Sequence, residues 1–338
     1  MHIKCFSCNS EFFCGASNSD LKCWCAAKSL SVIDTKHKSC LCEACFDKRI
    51  SRHGKYRYFR MFVSYRGTRF AGFQFQPELR TVEGELKKAL FSITQQDITI
   101  TAAGRTDSGV HAHGQAISAQ FNTRLTQRQL LLALASKLPA DVAVWRVDEM
   151  LKPFDARRQS IGKQYIYRID QALVSDPFMR DRVWQVKASL DIEQMKIAAK
   201  FLQGEHDFSS FRSVHCGASH AVRYLWRVGI VKIHNVIEVD VRGNAFCLNM
   251  VRIIVGTLVE VGRGRIAPHA IQNILTAQDR KAAGMTAPAH GLTFHKVYFP
   301  DELNDALIPA GAQFPRYPVD ETTWPFKEED IIYGQSSF

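Results

Sequence analysis

An α+β fold is predicted: two tandem halves, each in the order β-α-β-β-α-β, forming one extended antiparallel sheet behind a small cysteine-rich N-terminal module. Three observations predict it. From residue 56 onward the hydrophobic period switches between two residues and about 3.6, and the same order of periods occurs twice. Eight of the ten cysteines lie in the first 45 residues. A polar, basic stretch, "RISRHGK" (49–55), separates the two compositions.

The first half opens with "YRYFRMFVSY" (56–65), which alternates as a strand does. "TVEGELKKALFSI" (81–93) has helical spacing and Thr81 at its N-cap. "DITITA" (97–102) and "GQAISAQF" (114–121) read as strands. "TQRQLLLALASKL" (126–138) begins with a capping box, Thr126 and Gln129, and "VAVWRVDEM" (142–150) closes the half as a strand. The second half repeats the plan. "KQYIYRID" (163–170) is a strand and "DIEQMKIAAKFL" (191–202) a helix capped by Asp191 with Gln194. "VRYLWRVGIVKI" (222–233) and "VIEVDVRG" (236–243) are strands. "AFCLNMVRIIVGTLVEVG" (245–262) is a helix, another starts near Pro268, and "LTFHKVYF" (292–299) is the last strand. Each half has the ferredoxin-like order. Two such units can pair edge strands into one long sheet with helices on one face. The division is therefore 1–52 for the cysteine-rich module, 56–155 and 160–300 for the halves, and 301–338 for a proline-rich extended tail.

The most apolar stretch, Met250 to Val261, is too short to span a bilayer and contains Arg252. No secretory pattern follows Met1. These features exclude a membrane protein and place the chain in the cytoplasm. The formal net charge is +11, of which +2 falls on residues 1–50 and +9 on the remainder. That excess favours a polyanionic partner for the body.

A head of fifty residues is short of the apolar surface needed to fold alone and calls for cross-links or a metal. Cytosolic thiols stay reduced, so zinc is the reading for Cys5, Cys8, Cys14, Cys23, Cys25, Cys40, Cys42 and Cys45. Cys5-x-x-Cys8 and Cys42-x-x-Cys45 have knuckle spacing, and eight thiolates suit two closed sites; one site with spare thiols is the competing arrangement. His2, His37 and His53 are potential substitutes for a thiolate.

One short segment carries the chemistry. "AAGRTDSGVHAHGQ" (102–115) places a single carboxylate, Asp107, between two strands, beside Arg105 and among three glycines. Gly104 is expected to supply an unusual backbone angle and Gly109 a close approach. A neighbouring guanidinium keeps the acid ionised, and an ionised, oriented carboxylate is a nucleophile or a base. Arg252, flanked by apolar residues on a buried helix, needs a partner for its charge.

The run "AGRTDSGVHAHGQ" closely resembles the signature of the tRNA pseudouridine synthase A family. The resemblance continues in order through "YRGTRFAGFQFQ" (65–76), "KQYIY" (163–167), "GEHDFSSFR" (204–212), "NAFCLNMVRIIVGTLVEVGRG" (244–264) and "APAHGL" (287–292), covering residues 56 to 300. It implies two ferredoxin-like halves around a central cleft and isomerisation of uridine to pseudouridine at positions 38, 39 and 40 of the tRNA anticodon stem-loop. It implies a homodimer and no cofactor for catalysis. By the same resemblance Asp107 is the catalytic aspartate, Tyr165 stacks on the target base, Arg252 stands beside Asp107, Leu292 lines the pocket, and Arg105 fills the space the flipped base vacates. The sequence departs from the family pattern at Arg66, Phe73, Leu248 and Asn249. The head resembles small bacterial proteins named for their Cys-Trp-Cys motif, which implies structural zinc. Two rival functions are a zinc-containing tRNA-binding chaperone without turnover and a glycosidic hydrolase; the latter wants a second carboxylate, and none accompanies Asp107 in the motif.

Overall fold

The computed structural model describes residues 2–5, 8–13, 42, 45, 56–150 and 153–300. The expected tail (301–338) and Cys14, Cys23, Cys25 and Cys40 lie outside them. In the head, β1 (His2–Lys4) and β2 (Glu11–Phe13) form an antiparallel hairpin.

The body's elements follow the predicted order. The first half contains β3 (Arg57–Tyr65), α1 (Val82–Thr94), β4 (Ile100–Ala102), β5 (His111–Phe121), α2 (Gln127–Lys137) and β6 (Val142–Met150). Thr81 caps α1 by accepting the Gly84 N–H, and Thr126 with Gln129 closes a capping box on α2. The second half contains β7 (Gly162–Asp170), β8 (Trp184–Gln185), α3 (Ile192–Lys200), β9 (Gly204–Asp207), β10 (Val222–Ile233), β11 (Val236–Gly243), α4 (Met250–Gly262), α5 (Ala270–Ala277) and β12 (Leu292–Tyr298). Asp191 caps α3 through the Gln194 N–H, as its sequence predicts.

The body's ten strands form one sheet in the order β6-β3-β5-β12-β7-β11-β10-β9, with β4 on β5 and β8 on β7. The predicted all-antiparallel sheet needs correction: the sheet is mixed. Where the halves meet, β12 runs parallel to β5 through Thr293–His111 and Phe294–Ala112. The reason is length. β4 covers β5 only at 117–119, which leaves the start of that eleven-residue strand open on the same side. β12, already antiparallel to β7, fills the opening.

The alternation on β3 buries Phe59, Met61 and Val63 against Leu86 and Leu90 of α1 and Leu130 and Leu134 of α2. One hydrophobic cluster runs on through Tyr167, Leu225, Ile254 and Phe294, so both halves share a core. α4 is the most buried helix, with eleven buried residues, which explains why its sequence is apolar nearly all round.

Candidate active site

The loop from 103 to 110 hangs between β4 and β5 and is tied down at several points. Gln115 Nε2 donates to the Gly104 carbonyl (2.6 Å), and the Thr106 carbonyl accepts the Phe73 N–H (3.0 Å). The Thr106 hydroxyl bonds Tyr65 Oη (2.7 Å), and the Gly109 N–H donates to Phe70 O (3.3 Å). The close approach expected at Gly109 is present, with Ala289 Cβ 3.3 Å from where its Cβ would stand, but the unusual backbone angle falls there and not at Gly104. Gly109 takes the left-handed angle, at φ 81°. Gly104 is needed for space: a Cβ there would lie 3.1 Å from the Phe294 ring and 3.4 Å from Lys163 Cε.

Asp107 projects from this anchored loop with its side chain 29% exposed. Arg252 Nη1 donates to its Oδ2 at 3.3 Å, across 145 residues of sequence. The expected partner, Arg105, is exposed and makes no ion pair with Asp107 among the described residues. Arg252 is itself fixed from two further directions. Its Nε donates to Ala287 O (2.7 Å) and its Nη1 to Asn249 Oδ1 (2.8 Å). The Ala287 N–H returns a bond to Arg252 O (3.1 Å), so the segment before β12 is clamped onto α4. Asn249, the N-cap of α4, sits at φ 62°, an angle asparagine tolerates better than most residues. The sequence marks it only as a departure from the family pattern; its role shows once α4 turns its start toward the loop.

Two of the other departures, Arg66 and Phe73, also have physical reasons. Arg66 donates twice to Asp181 (2.9 and 2.7 Å), and Thr68 Oγ1 joins the same oxygen (2.9 Å). Phe73 is buried beside Tyr65, ring centroids 6.2 Å apart.

Tyr165 stands on β7 between Val241 of β11 and Phe294 of β12. Phe246 and Phe294 meet its ring edge-on, at 4.9 and 4.8 Å. Burial, with added repulsion from Tyr65 and Asp107, holds its phenol well above the ordinary value, so it stays protonated. Leu292 is buried at the start of β12.

A cavity of about 1680 Å³ joins these residues; Arg105, Asp107, Tyr165 and Leu292 line it, with Arg252 behind Asp107. Small-molecule pockets usually measure ~300–1,000 Å³, so this cleft exceeds what a nucleoside alone requires. Of the exposed-looking arginines in the second half, Arg227 and Arg242 pair with Asp240 and Arg263 and Arg265 with Glu260. Arg223 instead lines the cleft.

In the head, Cys5, Cys8, Cys42 and Cys45 place their four sulfurs within 4.8 Å of one another. Cys8 Sγ and Cys42 Sγ are 3.7 Å apart. Tetrahedral zinc at ~2.3 Å from each sulfur requires sulfur–sulfur edges of ~3.8 Å. The donor set therefore fits a structural zinc. The Cys8 thiol is held down to about 6, first by the Ser10 hydroxyl and then by the Ser10 backbone and neighbouring thiols.

The family model described as tRNA pseudouridine synthase matches residues 61–157 and 198–300. Curated relatives named "tRNA pseudouridine synthase A" include that of Brevibacillus brevis, 42% identical over 71% of this chain and 98% of its own length. The Bacillus pumilus protein of that name is 40% identical over 70% of this chain and 97% of its own. That of Myxococcus xanthus is 39% identical over 72% and 92%.

Proposed function

The chain belongs to the tRNA pseudouridine synthase family, and we propose that Asp107 is the carboxylate with which it isomerises tRNA uridine to pseudouridine, at positions 38, 39 and 40 of the anticodon stem-loop. The observation that carries the residue assignment is a half-exposed carboxylate in a large cleft, on a loop fixed at several points and paired with a guanidinium that three acceptors hold. The reaction breaks the N1–C1′ bond, turns the uracil and joins C5 to C1′; the C5 proton is lost and N1 gains one, so no redox partner or energy source enters. Asp107 supplies the electron pair, either to C1′ or to the C2′ proton. Both roles need the carboxylate held in one direction, which the hydrogen bond from Arg252 does.

The target uridine has to leave its stack, at a cost of a few kcal/mol. Tyr165 gives the extruded base an aromatic surface, and its protonated phenol argues against service as a base in the free enzyme. Leu292 closes the pocket on its apolar side. Arg105, exposed at the tip of the same loop, is placed to fill the gap in the RNA. We further read the two halves as ferredoxin-like repeats, since each gives the spatial order fourth-first-third-second strand. A homodimer in the cytoplasm and structural zinc on the cysteine quartet Cys5, Cys8, Cys42 and Cys45 complete the proposal. Catalysis itself is proposed to need no cofactor.

The test is an anticodon stem-loop RNA incubated with the protein, digested and chromatographed as nucleosides. Uridine should convert to an isomer of equal mass. Free uracil would mean hydrolysis, and binding without a product would mean a chaperone; either result overturns the proposal. Asp107→Asn should reduce turnover by more than ~10³-fold while RNA binding persists.

A further inference from the structure

Three cations on one wall of the cleft have no part in the scheme above. Arg157 comes from the segment joining the halves, Lys163 from β7 and Arg223 from β10, and all three line the cavity that holds Asp107. Lys163 reaches across to the catalytic loop, where its chain packs beside Gly104, and its Nζ donates to Ser160 Oγ at 3.2 Å. Arg223 is only 8% exposed. Its Nη1 donates to Val222 O (2.6 Å) and faces His220 Nδ1 (3.2 Å), while its Nε is buried with no partner among the described residues.

Among the described residues no carboxylate forms an ion pair with Arg157, Lys163 or Arg223; Asp155, on the same lining, takes the Arg157 backbone N–H at 2.9 Å and pairs with Arg158 at 3.8 Å. Elsewhere in the body the buried arginines have one: Arg57 meets Glu149 at 2.6 Å and Arg60 meets Asp148 at 2.8 Å. Here burial first, and then the charges of Arg157 and Arg223, push Lys163 down to about 8, the sign of a site enriched in one charge. Enclosing Lys163 and Arg223 together, with Arg157 exposed beside them, is costly unless an anion joins them. A phosphate oxygen accepts from an ammonium and from a guanidinium fork alike, and it is the anion that an RNA substrate brings.

We infer that Arg157, Lys163 and Arg223 form a binding site for one phosphodiester of the RNA backbone, next to the nucleotide presented to Asp107, with Ser160, whose hydroxyl donates to Arg157 O at 3.0 Å and accepts from Lys163, steadying the ammonium. The inference rests on the proposed function for its ligand. It assigns to this wall the work of holding the strand in register while the base is out of its stack.

The experiment uses full-length Asp107→Asn protein, so that binding is read without turnover. Each linkage of the stem-loop is replaced in turn by a neutral methylphosphonate, and binding is measured with and without Lys163→Met. One linkage near the target should cost about tenfold with lysine present and under twofold without it. Lys163→Met should also lower the slope of log affinity against log salt by ~0.7–0.9, the share of one phosphate, and Lys163→Arg should restore it. Arg157→Gln, at an exposed position, should show the same linkage dependence if Lys163→Met fails to fold. Equal losses at every linkage in both proteins, or an unchanged salt slope, would overturn the site. Displacement of RNA by inorganic phosphate at constant ionic strength, with no linkage sensitive to Lys163, would assign the cluster to free phosphate and overturn the RNA assignment. Failure of the wild-type protein to make pseudouridine would instead sink the proposed function, whatever the binding data give.

Discussion

At the scale of residues, Arg252 is shaped by its three acceptors more than by its charge. Ala287 O, Asn249 Oδ1 and Asp107 Oδ2 lie around one planar fork at 2.7, 2.8 and 3.3 Å. A lysine keeps the charge but has a single point donor, so it cannot serve acceptors in these fixed directions. Arg252→Lys should therefore lower kcat by about 10- to 100-fold, with a smaller change in KM, as steady-state kinetics on stem-loop RNA would measure. Equal kcat in the two proteins would show that Arg252 supplies only charge. Asp107 and Arg252 were legible in the sequence because a lone acid in a glycine-rich turn and a charge in a buried helix each demand explanation. The pairing was only half legible. Arg105 is two residues from Asp107 along the chain, yet side chains in a tight turn diverge, and Arg105 points outward. Asn249 stood out only as a departure from the family pattern and Lys163 left no signal, because their function depends on which distant loop faces them.

At the scale of elements, periodicity and caps gave the right kinds of structure in the right order, since both are local. Partner strands are not local. Alternation states which residues share a face and is silent about which edge lies alongside, so the parallel contact of β12 with β5 was missed. The four-residue, polar β9 was missed because it lacks apolar alternation. The β5–β12 seam has a titrating consequence. His111 Nδ1 accepts the Gly67 N–H at 3.1 Å and its Nε2 bonds Asp181 O at 2.7 Å, an arrangement met only by the neutral ring. Burial lowers the His111 value, and it pushes His295 down to about 4, with the charges of His113 and Arg168 adding to the effect. Ordinary imidazoles in the unfolded chain, near ~6.5, take up protons first. Stability is therefore full above about pH 6.5 and falls as pH drops toward about 4, through both groups. Melting temperatures across that range should decline, and His295→Gln should flatten part of the decline relative to wild type. Parallel curves for the two proteins would remove His295 from the account.

At the scale of the whole molecule, the chain carries a body matched to the family and an addition ahead of it. Residues matched to the family begin at 61, and 71% of this chain accounts for 98% of the Brevibacillus brevis relative. The shared core runs from Phe59 to Phe299 and includes neither Cys5 nor Cys42, although both are buried. The two cysteines instead stand with Cys8 and Cys45, four sulfurs within 4.8 Å, as a metal-centred module would place them in lieu of an apolar core. The net charge points the same way: residues 56–300 carry a net +13 and residues 1–50 only +2, so the cations sit in the body, where RNA has to be attracted. A protein starting at residue 55 should therefore fold, melt within a few degrees of the full chain, and modify stem-loop RNA at a rate within about twofold. Full-length protein should carry one or two zinc ions per chain by elemental analysis, and the shortened protein none. Removing the metal with a chelator should abolish the head's protection from proteolysis without lowering the body's melting temperature. If turnover fell with the metal, the head would have to reach the cleft, and the separation of core and charge between the two parts would have misled.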